Sequence, residues 1–137
     1  MRTNAEREGI QWSKSTDKRI TRVGSILRKL RIDELPQLIC VITGKMSLIG
    51  PRPERPLFDE QLSKEIPFYN LRYSIRPGLS GWAQVCTSYS ASKEESAVKL
   101  SYDLYYIRNF SILLDLVIFF KTIKTILNMK GSKSLKV

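Results

Sequence analysis

Three prolines fall within seven residues, in Gly50-Pro51-Arg52-Pro53-Glu54-Arg55-Pro56. A proline has no backbone N–H, and its ring clashes with the preceding turn, so no helix runs through this segment. Each residue placed before a proline is also pushed towards extended backbone. The stretch is therefore predicted as an extended loop that separates whatever lies on either side. Arg52 stands between two of the prolines, with little backbone freedom left to lose. Its planar guanidinium suits two-pronged recognition of phosphate. A stiffened surface loop without a ligand would read the same way, so this segment alone decides nothing.

Before the loop, apolar residues recur at helical spacing. Ile20, Val23, Ile26, Leu27 and Leu30, interleaved with Arg19, Arg22, Arg28 and Lys29, predict a basic amphipathic helix over 19–30, interrupted at Gly24. Asp33 is then predicted as the N-cap of a helix reaching about Thr43, with Pro36 in its first turn and Gly44 ending it. Beyond the loop, residues 57–70 predict a short helix that stops before Pro67. Pro77-Gly78 predicts a type II turn, and residues 81–85 a short strand. Ser92-Lys93-Glu94-Glu95 has the capping-box spacing and opens a helix to about Arg108. A last helix is predicted over 111–129, ending at Gly131. The expectation is an α-rich α+β fold: one compact helical domain with little strand and with amphipathic helices suited to an interface.

Charge narrows the partners. Basic residues number 23 against 13 acidic, a net +10, so an anionic partner is expected. Nucleic acid, an acidic membrane surface and a phosphorylated substrate all fit that field. No helix-turn-helix, RNP or zinc pattern accompanies the basic residues, which argues against nucleic acid. The absence of histidine removes His-based catalysis and the common zinc sites. Cys40 and Cys86 read as ordinary thiols, not as a disulfide framework. The most apolar stretch, residues 110–120, contains Asp115 and falls short of the ~20 residues a membrane span requires. Membrane contact within these residues would then lie along the surface.

Asp33-Glu34 is a pair of adjacent carboxylates after a run rich in Arg and Lys. A cap and a first-turn glutamate that meet the helix dipole explain it structurally. The same surroundings would keep a carboxylate ionised for nucleophilic attack. Arg76-Pro77-Gly78 holds a second arginine before a turn. Arg28, Arg52 and Arg76 together could cradle a diphosphate. Residues 110–128 are either a core helix or an interfacial one with lysines at the headgroups. Asp115 within them either pairs with an arginine or belongs to the site.

Four segments resemble, in order and spacing, the bacterial sugar transferase family of monotopic phosphoglycosyl transferases. They are Arg28-Lys29-Leu30-Arg31-Ile32-Asp33-Glu34-Leu35-Pro36-Gln37-Leu38; Gly44-Lys45-Met46-Ser47-Leu48-Ile49-Gly50-Pro51-Arg52-Pro53-Glu54; Arg76-Pro77-Gly78-Leu79-Ser80-Gly81-Trp82-Ala83-Gln84-Val85; and Tyr102-Asp103-Leu104-Tyr105-Tyr106-Ile107 followed by Leu113-Leu114-Asp115-Leu116. The continuation Pro53-Glu54-Arg55-Pro56 looks most like the exopolysaccharide-type members. The resemblance covers residues 17–131 and implies transfer of a phosphosugar from a UDP-sugar to polyprenol (undecaprenyl) phosphate, initiating a surface glycan. It implies Asp33 as nucleophile and Glu34 as the second acid, associated with Mg²⁺. Arg28, Arg52 and Arg76 fall where cations would offset diphosphate charge, with Asp115 as a possible secondary site residue.

The resemblance also implies the cytoplasmic face of the bacterial inner membrane, in contact with its anionic surface. Family members carry a hydrophobic re-entrant helix before the position of Met1, so an N-terminally truncated catalytic domain over 19–131 is expected. A polar lead-in over 1–18 and a basic tail over 132–137 would flank it. Cys86 stands where an Asn commonly follows Gly-Trp-Ala-Gln-Val. The competing expectation is an inactive truncated member that binds anionic membrane or nucleotide without turnover.

Overall fold

The computed structural model describes residues 21–29, 32–87 and 92–127. Along these the chain forms α1 (Arg22–Lys29), a 3₁₀ turn (Ile32–Glu34), α2 (Leu35–Ile42), β1 (Ser47–Ile49) and α3 (Pro56–Glu65). A second 3₁₀ turn (Tyr69–Tyr73), β2 (Gly78–Ser80), α4 (Trp82–Cys86), α5 (Lys93–Arg108) and α6 (Ile112–Leu127) complete it. The α-rich α+β expectation holds: the two strands are three residues each and pair in parallel, Ser47 with Gly78 and Ile49 with Ser80. A parallel pair needs a crossover, and the proline loop, α3 and the second 3₁₀ turn supply it. The lead-in, both ends of the predicted basic helix, the predicted end of the last helix at 128–131 and the tail lie outside the described residues.

Several boundaries differ from the sequence expectation for identifiable reasons. Thr21 caps α1, its Oγ1 accepting from the Gly24 N–H at 3.1 Å, so Gly24 lies in the first turn and does not interrupt the helix. Asp33 is not an N-cap. Residues 32–34 are already wound into the 3₁₀ turn, and Glu34 precedes α2 with helical φ and ψ and no side-chain capping bond. Pro36 sits in the first turn of α2 as expected, and Gly44, at φ +74°, ends that helix by turning the chain until the Met46 N–H reaches the Cys40 carbonyl at 3.0 Å. The proline loop is extended, and Pro56 opens α3. At the other capping box, Ser92 Oγ accepts from the Glu95 N–H at 3.2 Å, and α5 runs to Arg108 as predicted.

Pro77-Gly78 is not a type II turn, which would need positive φ at Gly78; Gly78 begins β2 instead. Its glycine is required by close approach: a Cβ there would lie 2.5 Å from the Gly50 Cα and closer still to the Gly50 nitrogen. The reverse substitution is as crowded, since a Cβ on Gly50 would stand 2.8 Å from the Arg76 carbonyl oxygen. The predicted strand over 81–85 is helix α4. Gly81 is extended and releases the chain into a turn that buries Ala83, while Trp82 stacks on Tyr105 of α5 with ring centroids 6.3 Å apart.

The apolar core lies between α3 and α5: Phe58, Leu62, Ile66, Tyr69 and Leu100, with Leu104 packed against it. Helix α6 packs on β1, β2 and α4, with Ser80 Oγ and Thr122 Oγ1 2.6 Å apart and Lys121 Nζ 4.6 Å from the Trp82 ring centre. Ile118 alone in α6 is fully buried. Ile112, Leu113, Leu116, Phe120 and Leu127 are exposed, as are Val23, Ile26, Leu35, Ile39 and Ile42 on α1 and α2.

Within this frame two charges are removed from water. Arg72, 3% exposed, donates from Nη2 to Asp103 Oδ2 at 2.8 Å, and Asp103 is 1% exposed. Nη1 donates to the Tyr69 hydroxyl at 2.7 Å, and the guanidinium lies 5.1 Å from the centre of the Tyr69 ring. Burial pushes the Asp103 carboxyl up to about 6 against the opposing pull of Arg72 and Lys99, and the ion pair with Arg72 at 2.8 Å favours its charged form. Removing one partner of such a pair leaves the other charged and unsatisfied. Asp103→Ala should therefore lower stability by about 3–5 kcal/mol, read as a clear fall in the urea midpoint. A shift under about 1 kcal/mol, the range of an exposed ion pair, would show that the pair carries little of the fold.

Candidate active site

Asp33 and Glu34 are consecutive in the 3₁₀ turn that leads into α2. The Asp33 side chain is exposed, and no hydrogen bond or ion pair ties it to a described residue. Glu34 is half-buried and takes the opposite role. Its Oε1 accepts from Arg52 Nη2 at 3.2 Å, with both side chains about a quarter exposed. Two neighbouring carboxylates thus have separate environments, one held against a guanidinium and one open to an incoming group.

Arg52 reaches the pair from the proline loop. Its Nη1 donates to the Leu79 carbonyl of β2 at 2.9 Å, so one fork of the guanidinium rests on the strand and the other on Glu34. The fork predicted to grip phosphate therefore already grips protein on two of its N–H directions. The loop is itself held from beneath. The Arg52 carbonyl accepts from Arg72 Nη2 at 2.7 Å, and Lys99 of α5 pairs with Glu54. Two contacts from the buried side thus meet the loop within three residues, on either side of Pro53.

The other predicted site residues are placed apart. Arg76 is exposed and borders an open cavity of about 420 Å³, lined also by Val41, Gly44, Ile49, Tyr106 and Phe110. That cavity adjoins the C-terminal end of α2, whereas Asp33 and Glu34 precede its N-terminal end. The structure brings Arg52 to the acidic pair, and Arg76 shares its cavity with Val41 and Gly44 at the C-terminal end of α2. Asp115 accepts from the Tyr106 hydroxyl at 2.7 Å, a tie between α6 and α5 that involves no arginine. Burial first, and then Asp115, push the Tyr106 hydroxyl well above its ordinary value. Arg28 lies in α1, but its side chain lies outside the described residues. Cys40 and Cys86 are both free thiols.

Sequence reasoning missed Arg72, Asp103 and Lys99. A faint signal existed for Asp103. Ser96, Leu100, Asp103 and Tyr106 fall on one helical face, and an acid among them demands a buried cation. Arg72, in Asn70-Leu71-Arg72-Tyr73, carries no comparable mark, because the 3₁₀ turn that buries it has no sequence period of its own.

The bacterial sugar transferase family matches residues 1–129, nearly the whole chain. The chain belongs to that family. A UDP-N-acetylgalactosamine-undecaprenyl-phosphate N-acetylgalactosaminephosphotransferase from Aeromonas hydrophila is 53% identical over 130 residues, which are 95% of this chain and 31% of that protein. A UDP-glucose:undecaprenyl-phosphate glucose-1-phosphate transferase from Escherichia coli K12 is 41% identical over 78% of this chain and 24% of its own length. An exopolysaccharide production protein from Sinorhizobium fredii is 45% identical over 85% of this chain and 49% of its own. This bacterial sugar transferase therefore spans between a quarter and a half of the length of these relatives.

The donor set fits a hard cation. Mg²⁺ is commonly held by one or two carboxylates together with substrate phosphates, and Asp33 and Glu34 offer carboxylate oxygens beside an open face. Among the described residues no group of three or more acidic, Cys or His side chains gathers where it could hold a metal ion.

Proposed function

We propose that this bacterial sugar transferase moves a phosphosugar from a UDP-sugar to polyprenol phosphate, the first membrane-bound step of an exopolysaccharide or related surface glycan. One observation carries the reading. Within a single turn the chain holds an exposed, uncommitted carboxylate, Asp33, beside a carboxylate anchored by an arginine, Glu34. The names of the relatives, which pair a UDP-sugar with undecaprenyl phosphate, support the choice of donor and acceptor.

In the first step a carboxylate oxygen of Asp33 attacks the β-phosphorus. The bond to the bridging oxygen breaks, UMP departs with that electron pair, and an aspartyl-phosphosugar remains. In the second, a phosphate oxygen of the polyprenol phosphate attacks the same phosphorus and returns Asp33 to its carboxylate. Arg52, already beside Glu34, adds positive charge where negative charge gathers on the phosphoryl oxygens. Glu34 would hold Mg²⁺, which would supply further charge neutralisation at the diphosphate. The exposed position of Asp33 leaves its carboxylate room to approach phosphorus.

The acceptor is a lipid, and the molecular surface suits one. The apolar side chains of α1, α2 and α6 face outward, the net charge is +10, and no described helix is long and apolar enough to cross a membrane. Such helices lie in the interface with basic residues at the headgroups. We place the site at the anionic cytoplasmic face of the inner membrane, where the nucleotide sugar is available.

Asp33→Asn separates nucleophile from structural residue. Since Asp33 caps nothing, the variant should keep the parent's urea midpoint while UMP release from UDP-sugar falls to background, because an amide cannot form the acyl phosphate. A folded Asp33→Asn protein that still releases UMP would remove Asp33 from the mechanism, and with it the preference for an enzyme over an inactive binding member. Membrane association has its own check. Each basic residue near an acidic surface contributes about 1 kcal/mol, so binding to acidic vesicles should exceed binding to neutral ones and weaken as salt rises. Equal binding to both would contradict the interfacial placement.

A further inference from the structure

Arg72 joins α5 to the proline loop. Its Nη2 lies 2.8 Å from Asp103 Oδ2 on α5 and 2.7 Å from the Arg52 carbonyl oxygen in the proline loop. A buried ion pair is weak evidence for stability, because well-packed apolar residues of similar volume often serve as well. What an apolar pair could not reproduce is the donation to the Arg52 backbone. That carbonyl belongs to the residue whose side chain holds Glu34 at 3.2 Å and the Leu79 carbonyl at 2.9 Å. Lys99, one helical turn before Asp103, ties Glu54 in the same loop to the same helix. Arg72 Nε is buried and makes no hydrogen bond, so the guanidinium is committed entirely through its two terminal nitrogens.

We propose that Arg72, oriented by Asp103, is a positioning residue for the transfer reaction: it fixes the Arg52 backbone so that the Arg52 guanidinium keeps Glu34 aligned beside Asp33. The inference rests on reading Asp33-Glu34 as the reacting pair. Arg72 itself is too deeply buried to meet a substrate, so it acts only through Arg52. Small displacements of catalytic groups are costly, an ångström accounting for about 10²-fold in rate, which gives a backbone clamp behind the site a kinetic consequence.

Arg72→Lys, Arg52→Lys and the double variant form the test, with kcat and KM for UMP release measured on each and folding checked by urea denaturation. Lysine at 72 keeps the charge opposite Asp103 but loses the planar fork that spans three acceptors. Each single variant should lower kcat by ~10- to 100-fold, and Arg72→Lys, which removes no group that meets substrate, should change KM for the UDP-sugar by less than about twofold. Because Arg72 acts through Arg52, the double variant should be no slower than Arg52→Lys alone. Effects that multiply in the double variant, or a parent-like kcat in folded Arg72→Lys, overturn the inference. Asp103→Asn, which keeps an acceptor oxygen for Arg72, should give the same pattern at smaller amplitude and replaces Arg72→Lys if that variant does not fold.

A second measurement needs no turnover. In the parent, ¹⁵N NMR should show slow rotation of the Arg52 guanidinium, and in Arg72→Lys fast rotation with a folded amide spectrum. Equally restricted rotation in both overturns the inference. A parent that releases no UMP would instead contradict the proposed activity, and the rotation measurement would still decide the role of Arg72.

Discussion

The ion pair between Arg72 and Asp103 is the interaction on which the rest of this domain depends. It connects the longest buried face of α5 to the second 3₁₀ turn and, through one carbonyl, to the proline loop. Two charges so fully removed from water need well-placed partners, and both terminal nitrogens of Arg72 have them, while its Nε has none. Tyr69 contributes its hydroxyl to Arg72 and its ring to the apolar cluster with Phe58, Leu62, Ile66 and Leu100. The polar network and the core are thus one packing unit, and a change in either is felt in the loop above it.

The same loop is constrained from its other side by the approach of two glycines. Gly50 and Gly78 lie so close that neither has room for a Cβ, and this contact brings β2 under the Arg52 guanidinium, where the Leu79 carbonyl receives it. Three prolines keep the intervening backbone extended. The position of Arg52 therefore follows from sterics below, hydrogen bonding behind and ring closure within the loop itself. Glu34 is held by an arginine that has little freedom, while Asp33 is free of such ties among the described residues. That asymmetry between adjacent carboxylates suits the proposed nucleophile beside an anchored partner.

Much of the architecture was legible in the sequence because it obeys local rules. The α5 capping box, the apolar periods of α1 and α2, Pro36 in a first turn, Gly44 after a last one and the proline loop all act within a few residues of themselves. Where tertiary contact decides, local reading failed. Pro77-Gly78 has turn composition, but its glycine serves a close approach to a residue far away in sequence. Residues 81–85 read as a short strand, yet burial of Ala83 and stacking of Trp82 on Tyr105 accompany a helix. Asp33 has the look of a cap, and only the 3₁₀ winding of residues 32–34 releases it from that duty. At the site, the acidic pair and Arg52 were legible as a family pattern. Arg72 was not, since nothing local marks an arginine that will be buried.

Charge and surface complete the account of what such a site would act on. A nucleotide diphosphate and a lipid phosphate are both anionic, and a cationic domain with outward apolar helices at its edge can hold one while facing the other. The central claim is that Asp33 itself becomes covalently attached to the transferred group, and intact and peptide mass spectrometry tests it most directly. With UDP-sugar and Mg²⁺ but no polyprenol phosphate, the protein should release UMP and gain the mass of one phosphosugar, borne by the peptide that contains Asp33. UMP release with the added mass on any other residue, or with none at all, would contradict it.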